Sequence, residues 1–117
     1  MKKSIISILL SIVIVVSLVG CSSKKDERTM DDFIKAFSNE GIKVDEEMTT
    51  LYQIIGASNG VNFISDDKIA VYEYNSVKEL EKLKKSNGLI KKWESNGRFL
   101  LESTNKEAID IFNSVKQ

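Results

Sequence analysis

The stretch VNFISDDKIAVYEYN, Val61 to Asn75, decides the fold. Val61 and Phe63 alternate with Asn62. Ile69, Val71 and Glu73 alternate with Ala70, Tyr72 and Tyr74, which is the period-two pattern of strands. Asp66-Asp67 between the two runs reads as a turn, so the stretch is a β-hairpin. Its second strand is apolar on both sides, which places it inside a sheet rather than at an edge. Tyr72 and Tyr74 leave by one side of that strand and Ile69 and Val71 by the other, because successive side chains point to opposite faces.

On the C-terminal side, SVKELEKLKKSNG opens with Ser76 and Glu79 at capping-box spacing. Val77, Leu80 and Leu83 line one side of the helix, and Asn87-Gly88 stops it. LIKKWESNGRFLLE follows as a second hairpin turning at Asn96-Gly97. TNKEAIDIFNSVK then starts with Thr104 and Glu107, another capping-box pair, and buries Ala108, Ile109, Phe112 and Val115. The unit of hairpin then helix thus occurs twice in element pattern, though not in residue identity. It fits either a duplication or the economy of α+β design.

On the N-terminal side, Met30, Phe33, Ile34 and Phe37 in TMDDFIKAFSNEG form the stripe of an amphipathic helix. Thr29 caps it, Asp31 and Asp32 favour its positive end, and Gly41 closes it in a left-handed conformation. Ile42-Lys43-Val44 reads as a short strand, and MTTLYQIIGASNG as one or two helical turns before a tight turn. The predicted architecture is α+β. It is a small antiparallel sheet of about four strands, built from two hairpins, with two to three helices packed on one face and a signal helix ahead of them.

The chain begins MKKSIISILLSIVIVVSLVG. Lys2 and Lys3 precede a charge-free run, Ile5 to Val19, that is short for a spanning helix and fits a signal peptide. The run ends in Leu18-Val19-Gly20-Cys21. These residues resemble the lipobox of bacterial lipoproteins. The resemblance implies that Cys21 receives a diacylglycerol and becomes the first residue of the mature chain, held on the extracytoplasmic face of the cell membrane. An uncleaved signal anchor would place the domain on the same side. The expected organisation is a signal peptide over 1–20, a lipidated cysteine and polar tether over 21–28, and one α+β domain over 29–117. In size and layout the mature part resembles the small lipoproteins of Gram-positive bacteria.

The 97 residues from Cys21 onward carry 15 basic and 17 acidic side chains, no signature of a nucleic-acid binder. Cys21 is the only cysteine, so no disulfide staples the fold, and the chain has neither histidine nor proline. The lack of histidine removes the commonest general base and metal ligand, and no cofactor or metal is expected. The carboxylates Asp45, Glu46, Glu47, Asp66, Asp67, Glu73 and Glu94 fall mostly in loops and turns, where water keeps them ionised. Ser58-Asn59-Gly60 lacks the surroundings of a nucleophile or phosphate loop and reads as a lead into a strand.

Two surface features point to partners. Lys78, Lys82, Lys84, Lys85, Lys91 and Lys92 crowd a segment holding only Glu79 and Glu81, which suits either an anionic lipid or wall polymer, or plain solvation. Tyr72, Tyr74 and Trp93 form a binding platform if their face of the sheet is open, and core if it is covered. The functional expectation is a monomeric, membrane-anchored, non-catalytic interaction module meeting an envelope protein or polymer. A protective envelope protein, such as an immunity or exclusion lipoprotein, and a small carboxylate-dependent hydrolase are the alternatives.

Overall fold

The computed structural model describes residues 26–117; the expected signal helix, Cys21 and the first part of the tether lie outside the described residues. Helix α1 spans Met30–Asn39 and buries Met30, Phe33 and Phe37. The Asp32 carboxylate accepts from the Thr29 amide at 2.9 Å. At the other end, Gly41 has φ of +82°. Its amide donates to Ser38 O, and that of Ile42 donates to Phe37 O, both at 2.9 Å. This is the Schellman closure, complete with the apolar pair Phe37 and Ile42 in one cluster.

Val44 then makes a single bridge to Phe63, which is all that forms of the strand expected at 42–44. A 3₁₀ turn, Tyr52–Ile55, ends at Gly56 with φ of +72°. The sheet follows as β1 (Asn59–Asn62), β2 (Ala70–Glu73), β3 (Glu94–Asn96) and β4 (Phe99–Glu102), with α2 (Val77–Ser86) after β2 and α3 (Lys106–Ser114) after β4. Its order is β1-β2-β4-β3, antiparallel throughout, so β2 is interior as its sequence requires. Val71 pairs with Leu101 and Tyr72 with Leu100. The second hairpin closes at Asn96 and Phe99, with Gly97 at φ of +63° as the first of two turn residues. Ser76 Oγ caps α2 by accepting from the Glu79 amide at 3.1 Å. At α3 the cap is Asn105, one residue later than the Thr104 expected, and its Oδ1 accepts from the Ala108 amide at 3.1 Å.

The α+β fold with four antiparallel strands and three helices is therefore present. Two helices, α1 and α3, share one face, closing Phe33, Phe37, Ile69, Val71, Phe99, Leu101 and Phe112 into one cluster. The third does not join them. With the 3₁₀ turn, α2 covers the opposite face, where Ile55, Ala70, Tyr72, Tyr74, Leu80, Ile90 and Leu100 form a second cluster. The reason lies in β2 and β4, which are apolar on both sides; helices on one face alone would leave Tyr72 and Leu100 in water. The split also bears on the repeated hairpin-helix unit. A two-fold rotation that exchanges antiparallel β2 and β4 would carry α2 and α3 to the same face, and they lie on opposite ones.

Candidate functional site

The two tyrosines and the tryptophan singled out in the sequence do come together, but as core. Tyr72 is 6 % exposed and Tyr74 0 %, and Trp93 packs half-buried against their cluster. The rings of Tyr72 and Trp93 lie 6.1 Å apart and nearly parallel, 19° from one another. Tyr72 donates to the Glu102 carboxylate at 2.6 Å and Tyr74 to the Ile55 carbonyl at 2.8 Å. Burial pushes the Tyr74 phenol up to about 12, with the charge of Glu79 adding to it. Burial, and then the Glu102 carboxylate, raise Tyr72 as well. The aromatic platform is thus a correction: the face is filled by α2 and the 3₁₀ turn, because two tyrosine rings offer more apolar area than water tolerates and both hydroxyls find acceptors inside.

The expected polar tether included Asp26 and Arg28, and these two are held by the folded domain. Arg28 is 7 % exposed, and the Asp26 side chain is more deeply buried still. The Arg28 guanidinium donates to both Asp26 oxygens at 2.8 and 2.7 Å, to Asn96 Oδ1 at 3.0 Å and to Val115 O at 2.7 Å. Arg98 continues the network, donating to Asp26 O at 3.0 Å, Arg28 O at 2.5 Å, Glu73 Oε2 at 2.6 Å and Tyr74 O at 2.8 Å. Both guanidinium groups lie over Phe99, at 5.6 Å for Arg28 and 4.7 Å for Arg98. Burial alone pushes the Asp26 carboxyl up. The Arg28 side chain and the Arg98 amide, which donates at 3.0 Å, outweigh that and hold it below the usual carboxylate range. Burying these charges is tolerable because each is paired and hydrogen-bonded. The network fastens the first described residues to the Gly97 turn and to the end of α3.

The remaining candidates stay apart. Glu46, Glu47, Asp66, Asp67 and Glu94 are exposed, and Glu73 is spent on Arg98. The Ser58 hydroxyl donates to Glu73 O at 2.9 Å, a loop contact. A cleft of about 410 Å³ between α1 and α3 is edged by Glu40, Glu107 and Asp110. Among the described residues, no group of three metal-ligating side chains of the His, Cys, Asp or Glu kind forms, and no helix is long and apolar enough to cross a membrane.

Two surfaces lie open. Met48, Leu51 and Ile54 are 56, 69 and 72 % exposed along the loop that runs over β1, beside Asp45, Glu46 and Glu47. On α2 and the turn after it, Lys78, Lys82, Lys85, Lys91 and Lys92 are exposed, and so is Leu89 at 62 %. Lys84 is engaged instead, donating to Trp93 O at 2.8 Å beside the edge strand β3. The apolar loop escaped sequence reading because Leu51, Ile54 and Ile55 share a helical spacing; only Ile55 turns inward. No family model matches the chain, and neither a curated protein nor a solved structure matches it.

Proposed function

We propose that the chain is a lipid-anchored, extracytoplasmic interaction module that presents the loop Met48–Ile54 to a partner in the cell envelope. One observation carries the reading: Asp26, five residues after the cysteine of the lipobox-like Leu18-Val19-Gly20-Cys21, is already fastened into the folded domain. A span so short, at most about 18 Å, ties whatever the domain does to the membrane surface. The exposed Met48, Leu51 and Ile54 support the choice of contact surface, since large apolar side chains left in water together mark interaction sites.

The test has two arms. Cys21→Ala abolishes metabolic lipid labelling and leaves the precursor unprocessed; continued processing at that site refutes the anchor. A photocrosslinking residue at Leu51 gives a discrete adduct in intact cells, which is lost when Met48 and Ile54 are changed to Ser. Labelling no stronger there than at exposed Asp110 refutes the contact surface.

A further inference from the structure

We propose that the face made by α2 and the turn at 88–92 docks onto anionic lipid headgroups of the membrane that carries the chain, so that the domain lies on the bilayer in one orientation. The proposal rests on the anchoring reading above and adds a surface to it.

The face has the composition that such docking requires. Lys78, Lys82 and Lys85 follow one another at helical spacing on the side of α2 opposite Leu80, which is buried against the sheet. Lys91 and Lys92 extend the basic surface past the end of the helix. Leu89 lies between Lys85 and Lys91 in the chain, 62 % exposed, in a turn held by its own amide donating to Asn87 Oδ1 at 2.9 Å. Trp93 lies just beyond, half-buried. Exposed lysines with a protruding apolar side chain suit an anionic interface, where the charges meet headgroups and the leucine enters the apolar boundary.

The opposite side of the molecule has the opposite sign. Asp31, Asp32, Glu40, Glu107 and Asp110 are exposed on α1 and α3, which cover the other face of the sheet. An anionic surface therefore attracts one face and repels the other, which fixes the orientation. Asp45, Glu46 and Glu47 precede the loop at Met48–Ile54 and disfavour it as the contact with anionic lipid.

The attachment point fits. Arg98 binds Asp26 O and Tyr74 O together, and Tyr74 lies two residues before Ser76, the cap of α2. Asp26 thus lies beside the segment that leads into α2. The helix is about 15 Å long and the five-residue span reaches at most about 18 Å, so α2 can lie flat without straining the attachment. A short tether also raises the effective concentration of the face at the surface to the millimolar range or above, so that weak individual contacts suffice.

The experiment uses the lipidated protein purified from cells and reconstituted into vesicles of phosphatidylcholine, with or without phosphatidylglycerol. Lysines are acetylated briefly and quantified by mass spectrometry. Lys78, Lys82, Lys85, Lys91 and Lys92 should react several-fold more slowly on the anionic vesicles, with Lys35 and Lys106 unchanged. High salt should abolish the difference, since the screening length falls to about 3 Å at 1 M. Lys82→Glu with Lys91→Glu should remove the protection of the other three lysines at an unchanged melting temperature. Equal reactivity on both vesicles, or slowing that includes Lys35 and Lys106, overturns the docking. So does protection that appears only on adding a soluble poly(glycerol phosphate), which assigns the face to a wall polymer. The peptide containing residue 21 reports the anchor in the same digest. An unmodified Cys21 overturns the tethering and this proposal with it, whereas lipidated Cys21 with unprotected lysines overturns the docking alone.

Discussion

The hydroxyl of Tyr74 donates to the carbonyl of Ile55 at 2.8 Å, joining the end of β2 to the 3₁₀ turn that covers it. Both groups are buried, so the carbonyl has no water to fall back on. Tyr74→Phe should lower unfolding free energy by about 1–3 kcal/mol, the cost of a buried acceptor left alone. Tyr74→Ala should cost about 3–5 kcal/mol through the cavity it opens. Urea denaturation checks both, and near-equal losses would mean that ring packing contributes little.

Arg28 supplies the second prediction. Its guanidinium holds Asp26, Asn96 and the end of α3 at once. Arg28→Ala leaves the Asp26 carboxylate buried without its counter-charge, which costs about 3–5 kcal/mol for a buried pair. A chain starting at Thr29 loses both partners together and should suffer less than Arg28→Ala does, though it leaves Asn96 Oδ1 without its Arg28 donor and Arg98 without the acceptors that Asp26 and Arg28 supply. Comparing the two denaturation midpoints separates the worth of the pair from the penalty of a stranded charge.

The same carboxylate predicts a pH dependence. Asp26 is held below its ordinary 3.8 in the folded state and returns to it on unfolding. A lowered folded value means that its contribution is complete above about pH 4 and disappears as the pH falls through the folded value. The stability gap between the wild type and Asp26→Asn should therefore be constant from neutrality to about pH 5 and close at lower pH. The other carboxylates are common to both proteins and cancel in the difference. A gap unchanged down to pH 2 would show that Asp26 titrates normally.

These features were unequally legible in the sequence. The Schellman end of α1 announces itself through Gly41, and the interior position of β2 through its apolar residues on both sides. That same two-sided pattern already implied cover on both faces, and the placement of α2 follows from it. The grouping of Tyr72 with Tyr74 was legible from strand periodicity, whereas Trp93 precedes β3 and took its place only in the structure; exposure was not legible, because a tyrosine suits a wet face and a dry one equally. Thr104 and Asn105 are both competent caps, so local chemistry does not choose between them. The network of Asp26, Arg28 and Arg98 left no signal. Its members are polar and up to 72 residues apart, and no periodicity connects a charged segment ahead of the first helix to a distant hairpin turn.

Gly60 and Thr50 give the last prediction. Gly60 faces Tyr72 across β1 and β2, and a methyl group there would collide with Thr50 Oγ1 and meet the Tyr72 ring at 2.9 Å and Tyr52 Cβ at 3.0 Å. Its backbone is ordinary, so the requirement for glycine comes from the close approach of the loop at 50–52. Gly60→Ala should destabilise by about 1–3 kcal/mol, the cost of overpacking. Thr50 is itself buried, and its hydroxyl has no hydrogen-bond partner among the described residues. Thr50→Val replaces that hydroxyl with a methyl of similar size and removes an unsatisfied polar atom, so it should leave stability unchanged or raise it by about 1 kcal/mol. Thr50→Ala clears the atom that the new methyl strikes first. The double variant Thr50→Ala with Gly60→Ala should therefore lose less stability than the two single losses summed, the non-additivity of touching residues. Strict additivity in thermal or urea melts would show that Tyr52 and Tyr72 alone, rather than Thr50, exclude a side chain at position 60.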